Sequence, residues 1–297
     1  MSRYESIIYP MKMKKGDTLG IAAPSSPFDQ ALFDQGISIL KERGFEVVIP
    51  DDVWARDGFL AGADDQRVSV LHGLFRDPAV KGIVCARGGY GSMRLLDKLD
   101  FDLIRDNPKP FIGFSDVSAL LAAIHMRAGL VCYHGPVVTS LAISDDKSIE
   151  AFEAILAGDG NNMVGGEGKV VYPGKADGVL KGGNLATLCH LTGTNYAPDF
   201  IEGILMLEDV GEAPYKIDRM LTQMKMAGLF KNIRAVVGGQ FERCGEMADI
   251  ESIFRRVFQG AGVPVVLDFP FGHGSLNMAF PVGAEARIDT DSMTVVF

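Results

Sequence analysis

Ser115 is placed where a serine can act as a nucleophile. It follows the apolar run 109–114 in the sequence GFSD, and a helical pattern begins at Val117. A serine on a sharp strand-to-helix turn exposes its Oγ above the sheet, as in a nucleophile elbow, although Val117 makes the match to G-x-S-x-G partial. The backbone N–H of Asp116 would lie at a helix N-terminus, where it can bind an oxyanion. In the alternative interpretation, Ser115 only caps the next helix.

A glycine-rich loop, GGYG at residues 88–91, follows the buried apolar run 82–86. A backbone N–H of this loop can face the Ser115 Oγ from the neighbouring strand and complete an oxyanion hole with the Asp116 N–H. The loop fails as a dinucleotide fingerprint, because Arg94 occupies the position that needs a third glycine. Simple turn geometry is the alternative interpretation of these glycines.

A nucleophilic serine also needs a base. His273 lies between two glycines on the loop after the apolar run 263–268, which makes it the strongest candidate. His134 ends a strand of the same sheet as Ser115 and is a possible lining residue. His72 and His125 fall in helical patterns and are predicted to be surface or core-filling residues. His190 follows an apolar helical stretch and is predicted to be a packing residue.

The group that orients the base is predicted among three carboxylates. Glu208 and Asp209 end the apolar run 203–207, and they point to opposite sides if the strand continues through them. Glu212 is a weaker third choice. The residues alone leave this choice open.

Composition excludes several classes of protein. The 297 residues carry 29 basic and 38 acidic side chains, a net charge of −9, which argues against a nucleic-acid partner. The four cysteines form no C-x-x-C pair, so a zinc knuckle or a thioredoxin-like motif is excluded. The N-terminus lacks the apolar region of a signal peptide, and no apolar run is long enough to span a membrane. We therefore expect a soluble cytoplasmic protein with no membrane partner.

The predicted elements divide the chain into two α/β parts. Strand-like and helix-like segments alternate up to Pro136, which predicts βαβ units and a mostly parallel sheet. After the glycine-rich stretch 158–168 the strands are shorter and richer in turns. We predict an α/β domain at residues 1–140, a linker at 141–168 and a mixed β/α domain at 169–297. In such sheets ligands bind at the carboxyl ends of the strands.

Motifs along nearly the whole chain, from about residue 12 to 290, resemble those of one family. They are AAPS (22–25), LAGADDQR (60–67), ARGGYG (86–91), GFSD (113–116), GGNL (182–185), LEDVGEAPY (207–215), IDRML (217–221) and FGHG (271–274). In this order the set resembles the LD-carboxypeptidases, serine peptidases that include muramoyltetrapeptide carboxypeptidase and the microcin C self-immunity peptidase.

The resemblance implies a Ser-Glu-His triad. Ser115 is then the nucleophile, His273 the general base and Glu208 the group that orients the imidazole, with the N–H groups of Gly89 and Asp116 as the oxyanion hole. It also implies a flavodoxin- or Rossmann-like N-terminal domain, a swivelling C-terminal β/α domain, a homodimer, and no metal or other cofactor.

The implied activity is release of the terminal D-Ala of murein tetrapeptide from its L-centre neighbour, through an acyl-enzyme, in cell-wall recycling. Arg87 is a candidate cation for the terminal carboxylate, with structural pairing as the alternative. One rival is an immunity-type peptidase acting on an aminoacyl-nucleotide analogue, which an aromatic platform for the base would favour. The chain's only tryptophan, Trp54, lies in the first domain, and this favours the murein substrate. A catalytically silent peptide-binding protein is the other rival.

Overall fold

The computed structural model describes residues 7–159, 162–166 and 168–297. In chain order, the strands of this part are β1 (Thr18–Ala22), β2 (Glu46–Val48), β3 (Val80–Cys85), β4 (Phe111–Gly113), β5 (Cys132–His134), β6 (Asn162–Val164), β7 (Lys169–Tyr172), β8 (Lys175–Asn184), β9 (Gly203–Val210), β10 (Ala235–Glu242), β11 (Val265–Leu267), β12 (Phe280–Val282), β13 (Glu285–Asp289) and β14 (Thr294–Val296). The α-helices are α1 (Gln30–Glu42), α2 (Asp64–Arg76), α3 (Phe101–Asp106), α4 (Ser118–Ala128), α5 (Val138–Leu141), α6 (Asp146–Ala157), α7 (Leu185–His190), α8 (Pro214–Met226) and α9 (Met247–Val257). Short 3₁₀-helices span Asp51–Trp54, Ser92–Lys98 and Ser115–Val117.

The first sheet has the strand order β12-β5-β4-β3-β1-β2. Strands β1 to β5 are parallel, and β12 pairs antiparallel with β5. Along β3 only Lys81 is exposed, which is typical of a strand covered on both faces. Because these strands are parallel, the loops after β1, β3 and β4 meet at one edge of the sheet. The predicted mostly parallel first sheet is confirmed.

The second sheet has the order β6-β14-β13-β8-β9-β10-β11-β7. Its four central strands, β8 to β11, are parallel, and the outer pairs are antiparallel. Every residue of β9 except the last is buried. The predicted mixed second sheet is therefore confirmed, and its parallel centre carries Glu208 at the carboxyl end of β9.

Helix α4 packs between the two sheets. Its buried residues lie on all sides of the helix, as expected for a helix covered all round: Ser118, Ala119, Leu120, Leu121, Ala123, Ile124 and Ala128. The helix ends at Gly129, which has a left-handed φ of 71° and closes the last turn. Among the described residues, no helix is both long enough and apolar enough to span a membrane.

The predicted division at residues 140 and 169 remains a prediction. Within the segment 141–168, the structure contains helix α6 and strand β6, and β6 pairs with β14 of the second sheet. Strand β12 lies late in the chain but joins the first sheet beside β5. Both halves of the chain thus contribute to the first sheet.

Candidate active site

Ser115 lies on a strained turn between strand β4 and helix α4. Its φ of 63° is in the left-handed region, which non-glycine residues adopt uncommonly and which is often found at functional sites. The glycine loop after β3 packs closely against this turn, because a Cβ on Gly88 would lie 2.7 Å from the Ser115 Cβ. The N-cap of α4 is Val117, with no side-chain capping bond. The predicted strand-to-helix turn is confirmed, and the alternative in which Ser115 caps the helix is wrong.

The side chain of Asp116 joins the three loops at this edge of the first sheet. Its Oδ2 accepts hydrogen bonds from the Ser25 Oγ at 2.6 Å and from the Ser92 N–H at 2.8 Å. The Ser92 hydroxyl in turn donates to the Asp116 carbonyl. All three residues are buried. The sequence argument used only the N–H of Asp116 and missed this positioning role of its carboxylate.

Buried Arg67 supports the same loops from helix α2. Its guanidinium donates to the carbonyls of Pro24, Gly62 and Gly91, and it forms an ion pair with Asp64. A planar guanidinium with several donors suits such convergent carbonyls. The motif at 60–67 therefore acts by holding two strand-end loops, which could be inferred only once the loops were known to meet.

Position 89 requires glycine both because of its backbone conformation and because there is no room for a Cβ. Its φ is 108°, and a Cβ there would lie 2.5 Å from the Ser26 Oγ. The same hydroxyl accepts the Tyr90 N–H at 3.0 Å and so holds the loop against β1. Gly89 follows Gly88, which contacts Ser115, and Asp116 follows Ser115 directly. The two backbone N–H groups are near the serine, and their role as an oxyanion hole stays a prediction.

Glu208 and His273 come together at the carboxyl end of the second sheet. The Glu208 Oε2 lies 2.6 Å from the His273 Nδ1, and the carboxylate is fully buried. The loop needs Gly272 here, because a Cβ at this residue, whose φ is 109°, would lie 2.7 Å from that oxygen. The His273 ring packs on Phe114 at 4.7 Å between centroids. This contact places the imidazole beside the turn that carries Ser115.

The geometry distinguishes the three candidate carboxylates. Asp209 points the other way from Glu208, as predicted for consecutive strand residues, and accepts the Asn184 Nδ2–H at 3.1 Å and the Ala186 N–H at 2.9 Å. Glu212 pairs with Lys216 at 3.0 Å. Of the three, Glu208 is the one that contacts His273.

The Glu208–His273 pair favours the charged state of both groups. Burial alone raises the pKa of Glu208, but the nearby histidines outweigh it and lower the pKa to about 2. Burial lowers the pKa of His273, and the charge and hydrogen bond of Glu208 more than offset this, so its pKa is raised. Glu208 thus stabilises an imidazolium, which is what a general base becomes when it accepts a proton.

Comparison with known proteins supports the motif-based resemblance. Models of the N-terminal and C-terminal domains of the LD-carboxypeptidases match residues 19–135 and 177–288. The chain belongs to the LD-carboxypeptidase family. The resemblance inferred from the motifs is confirmed, and the family makes the chain a serine peptidase of the carboxypeptidase class.

Relatives match the LD-carboxypeptidase chain over almost its full length. A probable murein peptide carboxypeptidase of Bacillus subtilis is 36% identical, over 97% of this chain and 93% of the relative. The murein tetrapeptide carboxypeptidase of Pseudomonas aeruginosa is 34% identical, over 91% and 92%. The crystal structure of an MccF-like protein from Bacillus anthracis superposes with a TM-score of 0.90 at 29% identity, covering 98% of this chain and 99% of that one. The two-part fold is thus shared.

Arg87 of this LD-carboxypeptidase lies exposed at the end of the strand that precedes the glycine loop. Its Nη1 donates to the Pro27 carbonyl at 2.6 Å. A carbonyl partner leaves the charge of the guanidinium uncompensated by that contact. The predicted role in binding a substrate carboxylate stays a prediction.

The structure also locates the other candidates. His134 is fully buried beside Glu208, whereas His190 is exposed, so its predicted packing role is wrong. Trp54 packs against the rings of Phe28 and Phe33, at 5.5 and 5.0 Å. In the described part of the chain, no cluster of three or more His, Cys, Asp or Glu side chains is arranged to hold a metal ion.

Proposed function

We propose that this LD-carboxypeptidase releases the C-terminal D-Ala of murein tetrapeptide through an acyl-enzyme on Ser115. The observation that carries the proposal is the 2.6 Å contact between Glu208 and His273, held beside the strained turn of Ser115 by the Phe114 ring. The carboxypeptidase class follows from the family, and the names of the relatives from Bacillus and Pseudomonas support a murein peptide as substrate. Such an activity serves the recycling of cell-wall peptides.

In the proposed mechanism, His273 Nε2 removes the proton from the Ser115 Oγ as the oxygen attacks the scissile carbonyl. Glu208 keeps the Nδ1 proton of His273 in place and stabilises the imidazolium. The N–H groups of Gly89 and Asp116 bind the oxyanion of the tetrahedral intermediate. The intermediate collapses as His273 gives its proton to the amine of the departing D-Ala. Water, deprotonated by His273, then hydrolyses the ester on Ser115.

Arg87 is proposed to bind the terminal carboxylate of the peptide. Arg87 precedes Gly89 by two positions, and its exposed guanidinium donates one hydrogen bond to the Pro27 carbonyl. The remaining donors suit the two oxygens of a carboxylate. Replacing Arg87 by Ala should raise KM for the peptide more than it lowers kcat, because the carboxylate is bound equally in substrate and transition state. An unchanged KM would remove Arg87 from this role.

The test uses a tetrapeptide ending in D-Ala and its all-L counterpart, with amino-acid release followed by mass spectrometry. We expect release of D-Ala from the first peptide alone. A fluorophosphonate probe should label the wild type at Ser115 and should not label S115A. S115A should remain folded and lose several orders of magnitude in kcat. Absence of both D-Ala release and labelling would refute the proposal.

An immunity-type peptidase is the second candidate, because the MccF-like structure superposes so closely. Trp54 is partly exposed but packs against Phe28 and Phe33, and none of its ring contacts among the described residues is to Ser115, Glu208 or His273, which favours the murein peptide. An aminoacyl sulfamoyl adenosine in the same assay distinguishes the two. Faster cleavage of the nucleotide analogue would favour the immunity-type activity. Binding without turnover would indicate a silent binding protein.

The homodimer implied by the resemblance also remains a proposal. Light scattering of the purified protein during size-exclusion chromatography would test it. A mass of about twice the 32.0 kDa of one chain is expected, and a mass of one chain would contradict the dimer.

A further inference from the structure

His134 is a fully buried histidine that the triad does not use. It ends strand β5 and pairs in register with Gly113 of β4 on one side and Phe280 of β12 on the other. Its ring stacks on Phe280 at 4.6 Å between centroids, with Phe114 and Phe271 at 5.9 and 6.1 Å. A polar ring surrounded by aromatic side chains is costly to bury unless its nitrogens find partners.

Among the described residues, the acidic group that lies beside this ring is the carboxylate of the candidate triad, Glu208. The His134 Nε2 lies 3.9 Å from the Glu208 Oε1. Neither nitrogen of His134 nor this oxygen has a hydrogen-bond partner among the described residues. The other carboxylate oxygen, Oε2, is the one that contacts His273. His273 and His134 thus face different oxygens, Oε2 and Oε1, of the same buried carboxylate.

The protonation state of His134 follows from its surroundings. Burial lowers its pKa, against the raising effect of Glu208 and in the same sense as the charge of His273. The ring is therefore neutral at pH 7 and carries a single N–H. With Nε2 facing an anionic oxygen, that proton belongs on Nε2, where it can be donated.

We propose that His134 is a positioning residue, which donates its Nε2–H to the Glu208 Oε1 and so keeps Oε2 aimed at His273. The inference rests on the proposed roles of Glu208 and His273 in catalysis. A shift of less than 1 Å turns the 3.9 Å separation into a hydrogen bond. Because His134 belongs to the sheet of Ser115 and Glu208 to the other sheet, this contact also ties the acid to the nucleophile's half of the chain.

Two substitutions distinguish the role of His134 as a hydrogen-bond donor from the role of its ring in packing. H134F keeps a flat ring among the surrounding phenylalanines but removes the donor, and H134Q retains an amide N–H near the position of Nε2. We expect H134F to lower kcat about tenfold to a hundredfold with KM within twofold, because small misplacements of catalytic groups cost that much. H134Q should recover most of the loss. H125F is the matched control, because the Nδ1 of half-buried His125 is also buried and without a hydrogen-bond partner among the described residues, but it lies against Gly283 rather than the site.

The pH dependence gives a readout that a packing role would not move. The charges of Glu208 and Asp209 raise the pKa of His273, and that of Arg243 lowers it. When the Glu208 Oε1 loses its donor, the carboxylate is less well aimed at His273, so the pKa of His273 should fall in H134F. The acid limb of kcat/KM and the NMR titration of His273 should both move to lower pH, by about 0.5–1 unit, which corresponds to an imidazolium about threefold to tenfold less favoured. H134Q and H125F should keep the wild-type profile.

The outcomes distinguish this inference from the proposed function. If the wild type neither releases D-Ala nor reacts with fluorophosphonate, the proposed function fails. If the wild type does both and H134F matches it in kcat and in acid limb, the positioning role alone is overturned. If neither variant folds, nitrogen-15 spectra of the wild type decide: a neutral His134 protonated at Nε2 supports the role, and one protonated at Nδ1 overturns it.

Discussion

At the scale of single residues, the site concentrates strain and buried charge on a few atoms. Ser115 is held at a φ of 63°, and Glu208 is an anion with no exposed surface. The strained backbone of Ser115 lowers stability and places the nucleophile, whereas the Glu208 anion is stabilised by its histidine neighbours and places the base. Substitutions at these two residues should therefore separate the needs of folding from those of catalysis.

Ser115→Gly should make the protein more stable and inactive. Glycine adopts the left-handed region without the clash of a Cβ, which is worth about 1 kcal/mol, or about 2–4 °C in the thermal midpoint. Ser115→Ala is the matched control, because alanine also lacks the hydroxyl but keeps the Cβ and its strain. Calorimetry should find the midpoint of the alanine variant near the wild type. Equal midpoints for the two variants would show that the turn stores no strain.

Glu208→Gln should lower activity and shift its pH dependence. In the wild type, His273 acts as a base only above its raised pKa, so kcat/KM falls as the pH drops through that value. Glutamine removes the charge that raises this pKa, and the acid limb should move to lower pH. The plateau of kcat should fall about 10³- to 10⁴-fold, as when the acid of a Ser-His-Asp triad becomes an amide. An acid limb that stays in place would show that another group sets it.

At the scale of elements, strand ends and glycines place the side chains. Apolar runs predicted four strands that lead to the site: β3, β4 before Ser115, β9 before Glu208 and β11 before His273. Strand β12 was not predicted, since it is three residues long, contains Pro281 and pairs with β5 from far along the chain. The positioning roles of Asp116 and Arg67 were missed because they depend on which loops meet. A single sequence shows which residues are present but not which loops lie next to each other in the fold.

Gly272→Ala should damage the site more than the fold. The added Cβ forces an unfavourable φ and also meets the Glu208 carboxylate at 2.7 Å. Gly211→Ala is the matched control, because Gly211 has a φ of 72° with nothing within 4 Å of the added Cβ. Both variants should lose about 1–2 kcal/mol of stability. The Gly272 variant alone should also lose tenfold or more in kcat, measured on the D-Ala peptide. Equal kcat values would mean that the Glu208 carboxylate adjusts freely.

At the scale of the whole molecule, the site exists only where the two sheets dock. Ser115 belongs to the first sheet, and Glu208 and His273 to the second. Besides the Phe114–His273 contact, the Ser118 Oγ on α4 accepts the Asn184 N–H at 2.9 Å, and a Cβ on Gly183 would lie 2.5 Å from that hydroxyl. The sequence predicted the triad residues in each half of the chain. It did not predict that the backbone at Gly183 and Asn184 would lie against α4.

The shared first sheet leads to the expectation that the protein unfolds as one unit. A chain of this size with two sheets often shows separate transitions, but β12 ties the end of the chain into the first sheet. Calorimetry should therefore find a single transition, with equal calorimetric and van't Hoff enthalpies. Phe280→Ala removes a fully buried ring of β12 and should lower the stability of the whole transition by about 3–5 kcal/mol. Two separated transitions, or a substitution at Phe280 that moves only one of them, would mean that the halves fold independently and that docking is a separate step in assembling the triad.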